Sequence, residues 1–132
     1  MKYLLDTHVL LWTLFETSKL SQTAKELIQS PQKPVFVSVV SFWEIAIKYG
    51  LGKIKFEQFT PEDIPLMCGQ MKLELMELNP EICISYHQLP IGIHRDPFDR
   101  MLIWQAKCLN LTLISKDERI GQYSIHGVKV VW

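Results

Sequence analysis

An α/β fold, with a mainly parallel sheet covered by helices on both faces, is what this 132-residue sequence predicts. Two observations carry the prediction. Short apolar runs alternate with stretches of three- and four-residue apolar spacing, the order of strand, crossover helix and parallel strand. The run Val35–Val40 is apolar except for Ser38, as a strand buried on both faces is.

The elements follow in order. Lys2–Leu5 reads as a first strand, and Asp6-Thr7 precedes a helix carried by Leu10, Leu11, Leu14 and Phe15,. Ser21–Ser30 is a second helix with Ala24, Leu27 and Ile28 on one face, closed by Pro31 and Pro34,. Val35–Val40 is the second strand. Ser41-Phe42-Trp43-Glu44 matches a capping box, so a helix is expected from Ser41 to Gly50 or Gly52,. Lys53–Phe59 is a basic and aromatic connection, and Thr60-Pro61-Glu62-Asp63 starts a helix running toward Met71. Leu73–Leu78 alternates as a third strand with one wetter face, and Asn79-Pro80-Glu81 opens a helix through Tyr86,. Asp96-Pro97 opens the best-marked helix, because proline fits the first helical position and aspartate caps the free amides. Phe98, Met101, Leu102, Ala106 and Leu109 give that helix its apolar face. Leu111–Ser115 is a fourth strand, Asp117 starts a short helical turn, and Val128–Val131 is the last strand.

The length suits one domain with a core of its own. Basic and acidic residues balance at 14 each, so no overall positive field holds nucleic acid, and such a partner needs a local patch. The three cysteines, Cys68, Cys83 and Cys108, lack CxxC spacing and are read as reduced core thiols,. Asp6 and His8 break the apolar N-terminal run and no small-residue cleavage site follows, so Met1 is expected to begin the mature chain,. No stretch reaches the roughly 18 apolar residues of a membrane span. A soluble, cytoplasmic protein is expected.

Ligands of open parallel sheets bind outside the carboxyl ends of the strands. Four acids fall there: Asp6 after the first strand, Glu44 one turn into the helix after the second, Asp99 at the start of the helix leading to the fourth, and Asp117 after the fourth. Singly, each has a local explanation as a cap or a first-turn charge. Together they repel and raise one another's pKa unless a cation neutralises them. Oxygen-only donors, with no histidine or cysteine at ligand spacing, suit a hard ion such as Mg²⁺ or Mn²⁺, which activates water for attack on a phosphodiester.

The residues that carry a family likeness are Asp6-Thr7-His8, Ser38-x-x-Ser41-x-x-Glu44-Ile45, Lys48–Ile54, Leu89-Pro90, His94–Leu102 and Ile114–Asp117. In these the chain resembles, over essentially its whole length, the PIN-domain ribonucleases, and among them the VapC-type toxins of bacterial toxin–antitoxin modules. The resemblance implies a three-layer α/β/α fold with a five-stranded parallel sheet of order 3-2-1-4-5. It also implies a Mg²⁺- or Mn²⁺-dependent endoribonuclease, a homodimer, and inhibition by a small antitoxin. Asp6, Glu44, Asp99 and Asp117 take the places of the family's acidic quartet, with Asp6 and Asp99 as the direct metal ligands and Glu44 and Asp117 acting through water or holding a second ion. Thr7, Ser38 and Ser115 are candidates for supporting hydrogen bonds. Asp96 is read as the helix cap before it is read as a ligand.

Other candidates have two readings each. Arg95 and Arg100 either hold RNA phosphates or pair with Asp96 and Asp99, and for Arg100 the structural pair is preferred. Lys48, Lys53 and Lys55 with Phe56 and Phe59 either track single-stranded RNA or form a solvated helix end over a satellite core. His94 lies close enough to the acids in sequence to touch substrate, and a packed or capping histidine is the preferred reading. Trp12, Phe42, Trp43 and Tyr49 are core residues by default, with a dimer or antitoxin interface as the alternative. An aspartyl-phosphate phosphatase wants a second aspartate where His8 stands. A degenerate PIN domain that binds RNA or a protein without cutting is the remaining alternative, and four intact acids oppose it, since an RNA-binding surface has no use for an acidic pocket.

Overall fold

The computed structural model describes residues 1–132. Five parallel strands form one sheet of order β3-β2-β1-β4-β5. They are β1 (Tyr3–Leu5), β2 (Val35–Ser38), β3 (Glu74–Met76), β4 (Thr112–Ile114) and β5 (Lys129–Val131). The helices are α1 (Thr7–Phe15), α2 (Gln22–Gln29), α3 (Val39–Gly50), α4 (Ile64–Gln70), α5 (Pro80–Ser85), α6 (Pro97–Cys108) and α7 (Glu118–Gly121). The expected α/β/α layering and strand order are both present.

Period-two alternation along β1 divides the interior. Tyr3 and Leu5 face one core, with Val9, Leu10, Leu27, Ile28, Ile45 and Ile64. Leu4 faces the other, with Ile82, Leu102, Ile103, Leu113 and Tyr123. The central strand is buried on both faces. No helix is long and apolar enough to cross a membrane.

Three local expectations change. The second strand ends at Ser38, and α3 begins at Val39 rather than Ser41. Ser38 is the cap: its hydroxyl accepts from the Val40 amide at 3.0 Å and donates to Gln105 Oε1 at 2.5 Å. Val39 and Val40 have strand-like side chains, but β2 finds partners in β3 only from Phe36 to Ser38, and pairing decides where a strand stops. The Ser41–Glu44 capping box therefore does not form. Ser41 instead accepts a hydrogen bond from the Thr7 hydroxyl at 2.9 Å. The third strand is reduced to three residues at the sheet edge, with Leu75 53% exposed. Of the cysteines only Cys68 is in the core, since Cys83 and Cys108 lie on the solvent faces of α5 and α6.

Gly52, at φ +74°, turns the chain sharply after α3. This brings the amides of Lys53 and Ile54 back onto the Lys48 carbonyl, at 2.8 and 3.3 Å. Phe56 then stacks on Phe15 and Tyr49 and packs against the first core, while Phe59 stays exposed. Trp12 and Phe42 pack partly buried against the first core. Trp43, 63% exposed, meets Phe98 edge to face.

Candidate active site

The carboxyl ends of β1, β2 and β4 deliver their next residues to one edge of the sheet, and the amino end of α6 comes to the same place. Asp6 caps α1, its Oδ1 accepting from the Val9 amide at 2.7 Å. It is 4% exposed, and burial pushes its carboxyl above the ordinary range although the Ser115 hydroxyl, the Val9 amide and His8 act the other way. Glu44 is 2% exposed. Its Oε2 is held by Lys48 one turn further along α3, while Oε1 is buried with no hydrogen-bond partner.

Asp99 is the electrostatic centre. Burial, and then the charges of Asp96, Glu44, Asp6 and Asp117, push its carboxyl up to about 7. Asp117 goes the opposite way: burial raises it, but the Arg119 amide, His94 and the Arg119 guanidinium together hold it below the usual carboxylate range. All four predicted acids thus meet at one edge, and two of them are driven apart in pKa, as groups with different tasks in one site often are.

The supporting candidates divide. Asp96 caps α6, its Oδ1 accepting from the Phe98 amide at 2.8 Å and the Asp99 amide at 3.3 Å. Ser115 accepts the Asp117 amide at 3.1 Å and borders Asp6, so it belongs to the site. Thr7 and Ser38 are spent on Ser41 and on the α3 cap and touch no acid. Arg100 pairs with no acid, contrary to expectation. Its buried guanidinium donates to the Tyr86 and Tyr123 hydroxyls and to the carbonyls of Leu89, Pro90 and His94, at 2.9 to 3.4 Å. The reason is direction: Arg100 follows Asp99 on the helix, so its side chain leaves on a different face.

Sequence reasoning missed His94. Its Nε2 lies 3.1 Å from Asp99 Oδ2 and 3.1 Å from Asp117 Oδ2, and its Nδ1 accepts the Asp96 amide at 3.2 Å. An Nδ1 that accepts leaves the ring proton on Nε2. His94 therefore donates to both carboxylates and joins α6 to α7. The available signal was its place two residues before the helix cap, where a ring reaches the cap's own amide. Lys48 was legible as the i+4 partner of Glu44.

The carboxylates of Asp99 and Asp117 converge on His94, their oxygens and its Nε2 all within 4.8 Å of one another, and Glu44 adds a buried oxygen with nothing to bind. Four carboxylates bear on a fifth, Asp99, that is pushed to about 7. A hard divalent cation would satisfy that oxygen and relieve that repulsion, so the donor set fits one.

A curated protein, Ribonuclease VapC22 of Mycobacterium tuberculosis (strain ATCC 25618 / H37Rv), is 25% identical over 133 residues, covering 98% of this chain and 97% of the relative. VapBC2 from Rickettsia felis, solved bound to a DNA fragment from their promoter, has a chain that superposes with a TM-score of 0.66 at 17% identity, covering 99% of this chain and 98% of that one. VapBC-1 from nontypeable Haemophilus influenzae gives a TM-score of 0.67 at 22% identity, covering 99% and 97%. At these identities the structural likeness is one of fold. The family model described as PIN domain matches residues 3–125, a span that contains all five strands but the last and every acid of the site, and the chain belongs to the PIN domain family.

Proposed function

We propose that this protein is a Mg²⁺- or Mn²⁺-dependent endoribonuclease, the toxin of a toxin–antitoxin pair, acting as a homodimer and restrained by a small VapB-like antitoxin. The observation that carries the reading is the meeting of Asp6, Glu44 and Asp117 about Asp99, whose carboxyl their charges help to raise, together with a buried Glu44 oxygen that has no partner. The likeness to Ribonuclease VapC22 and to chains solved as VapBC supports the substrate and the partner.

Asp6 and Asp99 would hold the ion directly, with Glu44 and Asp117 completing the set. When bound, such an ion lowers the pKa of a coordinated water and stabilises charge on the phosphoryl oxygens. The chain's residues prepare the place. Burial of Asp6 and Glu44 keeps bulk water from competing, and Ser115 and the Val9 amide fix the orientation of Asp6. His94 sets the spacing of Asp99 and Asp117, and Lys48 holds one Glu44 oxygen and leaves the other unpartnered.

A ligand bound only by the folded state raises the melting temperature. At about one hundred times its dissociation constant, Mn²⁺ is expected to raise it by roughly 10 °C. Single-stranded RNA is expected to be cut only when metal is present, and Asp6→Asn to lose both responses. Intact RNA and no thermal shift with either ion would overturn the reading.

His94→Ala is expected to lower cleavage about 10- to 100-fold and to raise the metal concentration needed for half-activation, the usual cost of losing a group that orients metal ligands. Circular dichroism checks that the fold is kept. A variant that binds metal as the wild type does would show that His94 is only packing.

A further inference from the structure

Two clefts open on either side of the amino end of α1 and share His8 as a common wall. One, of about 400 Å³, has Asp6 and Asp117 with Trp12 and Lys116. The other, of about 380 Å³, lies between α1 and α3 and has Glu44 with Lys48 and Lys53. Both are of a size that takes a small ligand, roughly 300 to 1,000 Å³. Each combines acids of the site with an exposed lysine, Lys116 in one and Lys53 in the other. Asp6 and Asp117 thus share one cleft with Lys116, and Glu44 shares the other with Lys53.

Neither of these lysines is paired. The ion pairs of the chain use Lys19, Lys48, His94 and Arg119. The main chain at Lys53 is nevertheless held, because its amide is bonded to the Lys48 carbonyl after the Gly52 turn. The other cleft has an aromatic wall, with the His8 and Trp12 rings 6.0 Å apart, of the kind on which unpaired bases stack.

An acidic site repels the phosphate it must receive, and a chain with zero net charge supplies no general attraction,. Cationic contacts to the neighbouring phosphates remove that difficulty. Resting on the nuclease reading above, we infer that a single RNA strand crosses the site astride His8, one flanking phosphate on Lys53 and the other on Lys116, in the two clefts on either side of the amino end of α1.

The test is fluorescence anisotropy with a labelled, randomised single-stranded RNA of about 15 nucleotides, titrated with protein carrying Asp99→Asn over a range of salt. Adding Lys53→Ala or Lys116→Ala is expected to weaken binding about five- to tenfold and to flatten the slope of log affinity against log salt by about 0.7 each. Lys53→Arg and Lys116→Arg are expected to restore the slope. Lys33→Ala, before β2 at the opposite edge of the sheet, is expected to leave it unchanged. Unchanged slopes in both cleft variants, or an equal flattening by Lys33→Ala, would overturn the inference. The wild-type protein is assayed for cutting in parallel. If it cuts RNA while the slopes do not move, only the strand path fails; if it neither cuts nor binds RNA, the nuclease reading fails with it.

Discussion

Asp99→Asn is expected to reduce RNA cleavage by about a thousandfold or more, the loss of roughly 4 kcal/mol of transition-state stabilisation, and to make the metal-free protein more stable at neutral pH. The second effect follows from the raised pKa. The Asp99 carboxyl moves from 3.8 to about 7 on folding. Between those values the folded chain keeps a proton that the unfolded chain has lost, so stability falls as pH rises through that window. Above about 7 the full penalty is present, on the order of 2 to 4 kcal/mol with the partly exposed carboxylate screened by water. Asparagine keeps the shape and an oxygen for His94 but carries no charge. Thermal melts in chelator should show the variant and the wild type converging near pH 4 and separating up to pH 7, the variant melting higher. Saturating Mn²⁺ should reverse the order, because only the wild type responds. A variant that melts lower at every pH would mean that the Asp99 charge stabilises the fold through His94, and the cation argument would lose its centre.

The distinction between local and distant causes explains what could be read in advance. Asp96-Pro97 announced α6 because a cap and a first-turn proline act within three residues, and the structure has that cap on the Phe98 and Asp99 amides. The meeting of the four acids was legible because parallel strands send all their carboxyl ends to one edge. The start of α3 was not, because nothing near Val39 records that β3 stops pairing at Met76. Nor was the setting of Arg100, whose acceptors are mostly backbone carbonyls and so have no side-chain signature in the sequence. Tyr123, fully buried, joins that network from 23 residues away. His94 fell between the two cases: its bond to the Asp96 amide is local, but its two carboxylates are brought to it by α6 and α7. Local rules gave the elements and the edge. The contacts that arrange the acids on that edge belong to packing.

Arg100→Met should be the most damaging single change to stability, costing about 3 to 5 kcal/mol and lowering the melting temperature by roughly 10 to 20 °C. The guanidinium is 5% exposed and serves five acceptors while lying over the Tyr86 ring at 5.3 Å. Methionine fills the space but leaves those oxygens buried without donors, and an acceptor stranded in this way costs about 1 to 3 kcal/mol before the chain relaxes. Arg100→Lys should recover little, because one ammonium cannot span acceptors on both sides of the arginine fork. The damage should also reach the site. Three of the acceptors are carbonyls of the segment from Leu89 to His94, and His94 holds Asp99 and Asp117 from the end of that segment. Metal-dependent stabilisation should therefore weaken in the Arg100 variants even where enough folded protein remains to measure it. Salt separates this account from the surface ion pair with Asp96 or Asp99 that the sequence suggested. An exposed pair is largely screened at about 1 M salt, whereas a buried tie to carbonyl and hydroxyl oxygens is not. The difference in unfolding free energy between Arg100→Met and the wild type should be the same at low and high salt, and a loss that shrinks with salt would restore the ion pair.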